Sequence, residues 1–187
     1  MACSWGPRQP WRCRRQIRGS ILNTGVVGAI QQINVKSKTK GEHGLPKKPV
    51  TSALVTRAGV EGDFNVYRHD ERKDDPDQAL LIMPIETIRE LNTEGWPIKP
   101  GDLGENLTTV GISYGAFSVG KHFTAGEMRF QISKPCEPCA NLYSLPFVGE
   151  SKGPAFLKVM LGRRGWYARV IKEGMIRTGD RVSPGSG

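Results

Sequence analysis

The chain has 187 residues, 37% of them hydrophobic, with a net charge of +9 at pH 7, as expected for one domain that buries its own core. No apolar run approaches the length of a membrane span, and the aromatic residues (7%) are not interleaved with basic ones, so neither a membrane segment nor a base-stacking nucleic-acid platform is expected. More than half of the net charge sits in Arg8, Arg12, Arg14, Arg15 and Arg18, all before the first acidic residue, Glu42; the modest positive field of the remainder suits anionic small molecules.

Residues 1–20 read as a disordered basic tail or a non-native extension, with a mitochondrial presequence as a minor alternative. Val26 to Val35 is rich in β-branched residues and predicts a strand with a bulge at Gly28. Residues 36–48 are polar and predict a loop, and Val50 to Thr56 a second strand closed by the turn Gly59-Val60-Glu61-Gly62-Asp63. After an acidic loop over Asp70 to Asp77, the run Ala79 to Met83 predicts a strand stopped by Pro84. Ile85, Ile88 and Leu91 then mark one face of a short helix ending near Asn92.

Gly101-Asp102-Leu103-Gly104 is a turn cluster. Met128, Phe130 and Ile132 recur at period two in a strand over Glu127 to Ser133. A short helix is expected over Pro154 to Leu161, a closing strand over Trp166 to Ile171, and a flexible end over residues 184–187. Many short strands, glycine-rich turns and few helices predict a mainly β fold, a barrel or sandwich, without a Walker or dinucleotide loop.

The chemistry concentrates in Pro135-Cys136-Glu137-Pro138-Cys139, two thiols on a proline-stiffened turn directly after a strand. Four cysteines are too few for a disulfide scaffold, and a Cys-x-x-Cys points instead to a reducing, cytoplasmic setting and to redox, metal or catalytic work. His43, His69 and His122 are scattered singly, so spacing assembles no tetrahedral zinc site. A single thiolate serves for a soft metal whose other ligands come from a cofactor; either cysteine also fits as a buried apolar filler.

Glu105 and Asn106, after Gly104, offer an acceptor and an amide suited to a heterocycle edge, or else cap an ordinary turn. Gly162-Arg163-Arg164-Gly165, followed by Arg169, reads as a phosphate cradle or as a solvated basic loop.

Taken in order, several segments resemble the MOSC domain, named from the C-terminal domain of molybdenum cofactor sulfurase. They are Lys48-Pro49-Val50, Gly59 to Asp63, Gly101 to Leu107, Lys134 to Cys139, Gly162-Arg163, Gly165, Ala168-Arg169-Val170, and Gly174 through Asp180. The resemblance covers residues 24–183 and implies a MOSC-type β-barrel with a few short helices that binds a molybdenum cofactor (molybdopterin) or carries sulfur for it. It implies Cys139 as the molybdenum ligand, with Cys136 as a resolving or neighbouring thiol. Gly104, Glu105, Asn106, Arg163, Arg169, Gly62 and Asp63 become the cofactor-binding residues.

Enzymatic relatives of this kind reduce N-hydroxylated compounds. A small-molecule substrate and an electron-donor protein are therefore implied or, for a sulfur carrier using a Cys139 persulfide, a cysteine desulfurase. The chain has no desulfurase domain of its own, so pyridoxal phosphate is not expected. Two departures stand out. A His-Gly-Gly segment common in the family is replaced by Asp74-Asp75-Pro76-Asp77-Gln78, and a glycine common in the Gly-Arg turn is Arg164.

Overall fold

A computed structural model describes residues 27–37, 44–64, 66–70 and 73–185. The expectations for the basic tail, with Cys3 and Cys13, and for His43 lie outside the described residues.

Along the chain run β1 (Gly28–Val35), β2 (Lys48–Val50), β3 (Ser52–Thr56), β4 (Gly59–Val60), helix α1 (Val66–Asp70), β5 (Leu80–Pro84), helix α2 (Ile85–Thr93) and β6 (Leu107–Val110). They are followed by β7 (His122–Ala125), β8 (Met128–Pro135), helix α3 (Gly149–Met160), β9 (Trp166–Lys172), β10 (Gly174–Arg177) and β11 (Arg181–Pro184). The order β11-β7-β8-β9-β5-β6-β1 closes on itself through a β11–β1 pairing, and β2 extends from β1. A closed seven-stranded barrel results, so these strands leave no open edge. Of its ladders only β5–β6 is parallel, and α2 makes the crossover that a parallel pair requires. A separate three-stranded sheet has the order β10-β3-β4.

The period-two pattern of β8 fills the barrel. Met128, Phe130 and Ile132 are buried while Arg129, Gln131 and Ser133, which alternate with them, are less so. Phe123 packs between Phe117 and Phe130, with ring centroids 4.9 and 5.6 Å apart. β5 is buried along its whole length because it serves two cores. Leu80 and Ile82 enter the barrel, whereas Met83 joins Ile88 and Leu91 of α2 and Phe156 and Met160 of α3 in a helical layer. An unbroken apolar run is what a strand covered on both faces requires.

Several expectations need correction. The predicted strand over Val50 to Thr56 is two strands in two sheets; the chain bends at Thr51, whose carbonyl accepts the Thr178 N–H at 3.0 Å. The irregularity in β1 lies between Ile30 and Gln32, not at Gly28. The third helix starts at Gly149, because Pro154 in its sixth position removes just one helical hydrogen bond and does not set its start. Trp166–Lys172 is not the closing strand, since β10 and β11 follow, and Pro184, expected in a flexible end, pairs with Phe123. The acidic loop begins at the last residue of α1 and ends in a 3-10 turn over Pro76–Gln78. Among the described residues no helix is long and apolar enough to cross a membrane.

Candidate functional site

β8 and β9 stay paired up to Pro135 and Trp166, and one further bond, from the Cys136 N–H to the Gly165 carbonyl (2.9 Å), pins the start of the cysteine turn. Gly165 has φ +99°, and a Cβ there would lie 2.6 Å from the Ile82 carbonyl oxygen, so β5 can pass this close only against glycine. Tyr114 clamps the same residue. Its hydroxyl donates to the Gly165 carbonyl (3.2 Å) and accepts the Gly165 N–H (3.3 Å), and its ring lies 5.5 Å from that of Trp166.

Both thiols of the turn are free, but their surroundings differ: Cys136 is buried and Cys139 exposed at the start of a 3-10 turn over Ala140–Ser144. Burial pushes the Cys136 thiol up, against the pull of the Arg164 charge and the Tyr167 hydroxyl, so it stays protonated at neutral pH. Burial, then the neighbouring Cys136, pushes Tyr167 up as well.

The segment Gly101 to Thr108 is built into a polar frame behind this turn. Glu105 is fully buried; its Oε1 accepts the Gly101 N–H (2.6 Å) and the Thr108 hydroxyl (2.9 Å). Asn106 donates from Nδ2 to Asp63 Oδ2 (2.8 Å) and accepts the Leu81 N–H at Oδ1 (3.1 Å). Asp63 Oδ1 takes the Lys36 N–H (2.8 Å), and its Oδ2 also holds the buried Lys47 ammonium at 2.6 Å. Gly101, at φ +93°, lets the Lys47 carbonyl come within 2.5 Å of where a Cβ would stand. Burial pulls Lys47 down, opposed by Asp63, and pushes Glu105 up.

The nine residues expected at the site divide sharply. Cys136 and Cys139 share the turn; Asp63, Glu105 and Asn106 share the frame, with Gly104 inside the frame's loop and Gly62 exposed beside Asp63. Asn106 is not a free reading edge, because both ends of its amide are occupied by Asp63 and Leu81. Nor is the phosphate cradle of Arg163 and Arg169 open. Arg163 forks onto Glu94 (2.8 and 3.0 Å), and Arg169 pairs with Asp77 at 2.6 Å. Carboxylates from α2's end and from the acidic turn, remote in sequence, have already answered both guanidiniums.

Arg164 lies in the Gly162 to Gly165 stretch that the sequence reads as a phosphate cradle, but it was not counted among the cofactor-binding residues. It is 6% exposed, and its Nε and Nη1 have no partner. Its charge acts on Cys136, Tyr114, Tyr167, Glu105 and Lys47, so the cysteine turn and the polar frame face one cation. Trp166 Nε1, two residues on, is likewise buried without a partner. The sequence signal was present: Arg164 is one of the two departures from the family pattern.

The other departure has a structural role. Asp75 accepts from the Asp77 N–H (2.9 Å), from Gln78 Nε2 (2.9 Å) and from Lys134 Nζ (3.1 Å), and these bonds hold its carboxyl down at about 2. Ser133 donates to the Asp77 carbonyl. The acidic turn thus braces β8 and β9 immediately before the cysteines.

The MOSC domain family model matches residues 68–183. The chain is 32% identical to an uncharacterised protein, YflK, of Bacillus subtilis over 92% of its own length and 73% of that protein's. A shorter stretch, 44% of the chain, is 36% identical to a protein named reductase from Gibberella moniliformis, of which it spans 14%. The crystal structure of YiiM from Geobacillus stearothermophilus superposes with a TM-score of 0.65 at 28% identity, covering 85% of this chain and 75% of that one.

Proposed function

The chain belongs to the MOSC domain family, and from that premise we propose that it binds a molybdopterin-type molybdenum cofactor through the Cys139 thiolate and reduces small N-hydroxylated or related N–O compounds. The observation that carries this reading is the asymmetry of the cysteine turn. It offers one exposed sulfur, Cys139, above a buried neutral thiol and a buried unpartnered guanidinium.

The donor set fits such a group. Among the described residues no cluster of three or more His, Cys, Asp or Glu side chains is placed to hold a metal ion. A metal held by Cys139 therefore takes its remaining ligands from an organic cofactor, a role suited to a soft thiolate. When bound, the cofactor supplies the redox chemistry at the N–O bond. The chain's own residues position it: Pro135 and Pro138 stiffen the turn, and the Cys136 N–H and Gly165 fix its base. The Lys47–Asp63–Asn106 frame holds the loop behind it. The reductase name of the Gibberella relative agrees with reductive chemistry. Electrons come from a separate donor protein, and the substrate is a small molecule.

Elemental analysis for molybdenum and tungsten, wild type beside Cys139→Ala, from cells making abundant cofactor, tests this. Metal in the wild type that is lost in the variant is the expected result, with N-hydroxylated compounds assayed next. Metal absent from both overturns it. A persulfide on Cys139 after incubation with a cysteine desulfurase would then assign the turn to sulfur delivery.

A further inference from the structure

Buried ions in proteins are normally paired, because an isolated charge in a low-dielectric interior costs several kcal/mol. Lys47 obeys this rule through Asp63. Arg164 does not: it is 6% exposed, forms no ion pair within 4 Å among the described residues, and leaves Nε and Nη1 without acceptors there. Lysine in that position would have an escape, since burial can strip its proton. A guanidinium has none, because it stays charged at any physiological pH.

The nearby carboxylate does not answer the charge either. Glu105 Oε1 is taken by Gly101 and Thr108 and its Oε2 is buried without a partner; the Arg164 charge acts on it, but the two form no ion pair within 4 Å. With Lys47 and Asp63 closed on each other, Arg164 is left as the cation of the cluster without an ion pair within 4 Å among the described residues. Neighbouring donors lean the same way. Trp166 Nε1 is buried and unpartnered, and the Trp166 and Tyr114 rings form an aromatic wall beside it.

From this juxtaposition we infer that Arg164 is the docking point of an oxyanion, a phosphoryl group above all, belonging to a ligand that lies between the Trp166–Tyr114 wall and the cysteine turn. This deepens the reading of the cysteine turn as a ligand site by naming a charge class for what binds there. It also moves the anion from Arg163 and Arg169, which carboxylates already hold, to the arginine between them.

The test uses metal-free full-length protein, so it does not depend on whether molybdenum is ever bound. Inorganic phosphate and phenyl phosphate are titrated calorimetrically into wild type, Arg164→Gln, Arg164→Lys and the double variant Arg163→Gln/Arg169→Gln, each first checked for an unchanged fold by circular dichroism. The expected result is phosphate binding by wild type and by the double variant, weakened about tenfold or more in Arg164→Gln, as loss of a charge-assisted hydrogen bond predicts. Arg164→Lys, which keeps the charge and alters the geometry, should fall between them.

Phenyl phosphate binding tighter than phosphate places a phosphate monoester of a larger ligand at the site; equal or weaker binding assigns the site to a free oxyanion. Wild type that ignores both probes, or Arg164→Gln that binds them as well as wild type does, overturns the inference. Should Arg164→Gln fail to fold, the Arg164→Lys comparison decides by the same criterion.

Discussion

Two polar regions meet at Arg164, and they handle buried charge in opposite ways. In the frame the polar atoms of Lys47, Asp63 and Asn106 answer one another, with Glu105 Oε2 the exception: Asp63 alone receives the Lys47 ammonium, the Asn106 amide and the Lys36 N–H. On the side of the cysteine turn the groups are left open, with Arg164 Nε and Nη1 and Trp166 Nε1 unpartnered and the Cys139 sulfur exposed. The difference separates residues that hold the barrel's rim in shape from those left open on the side of the proposed site. A satisfied buried network specifies a structure, whereas an unsatisfied one costs stability and persists where something else completes it.

The comparison breaks most visibly at Asp63. Asp63→Ala strands the Lys47 ammonium in a buried site and should cost about 3–5 kcal/mol. For a chain of this length that lowers Tm on the order of 10 °C, read by thermal melting beside a urea titration. The opposite sign is expected across the boundary. Arg164→Met removes an unanswered buried cation and should leave stability unchanged or raise it by up to about 2 kcal/mol, while abolishing phosphate binding. Equal destabilisation by both substitutions would erase the distinction between frame and site.

A smaller effect sharpens the role of the acidic turn. The Asp75 carboxyl sits at about 2 in the fold against an ordinary value of 3.8. Its contribution is therefore fully present above about pH 4 and is lost as pH falls towards 2, because only the unfolded chain takes up the proton in that window. Stability measured from pH 5 to 2 should fall less steeply in Asp75→Ala than in wild type, while at pH 7 the variant should be slightly the weaker of the two.

Much of the architecture was legible locally. The alternation of Met128, Phe130 and Ile132 and the spacing of Ile85, Ile88 and Leu91 each predicted an element that the structure contains. The bend at Thr51 was not legible, since residues 50–56 carry one continuous β pattern and the break depends on a hydrogen bond from Thr178. β10 and β11 were missed because each is just four residues long. Within the site, the two thiols were evident from their spacing, but their unequal burial was not. The resemblance gave Cys136 and Cys139 different roles, but spacing did not show that one is buried and the other exposed.

By itself the sequence determined the mainly β class, the family resemblance and the turn that carries the sulfur, because periodicity, proline and glycine act on the chain over a few residues. Which arginine is free to meet an anion was decided by the tertiary structure alone. Arg163, Arg164 and Arg169 are chemically identical. Glu94 reaches the first and Asp77 the third, from 69 and 92 positions away along the chain, and among the described residues no carboxylate comes within 4 Å of the second. Charge neutralisation is a through-space property, and it was settled by what the folded barrel brought within 4 Å.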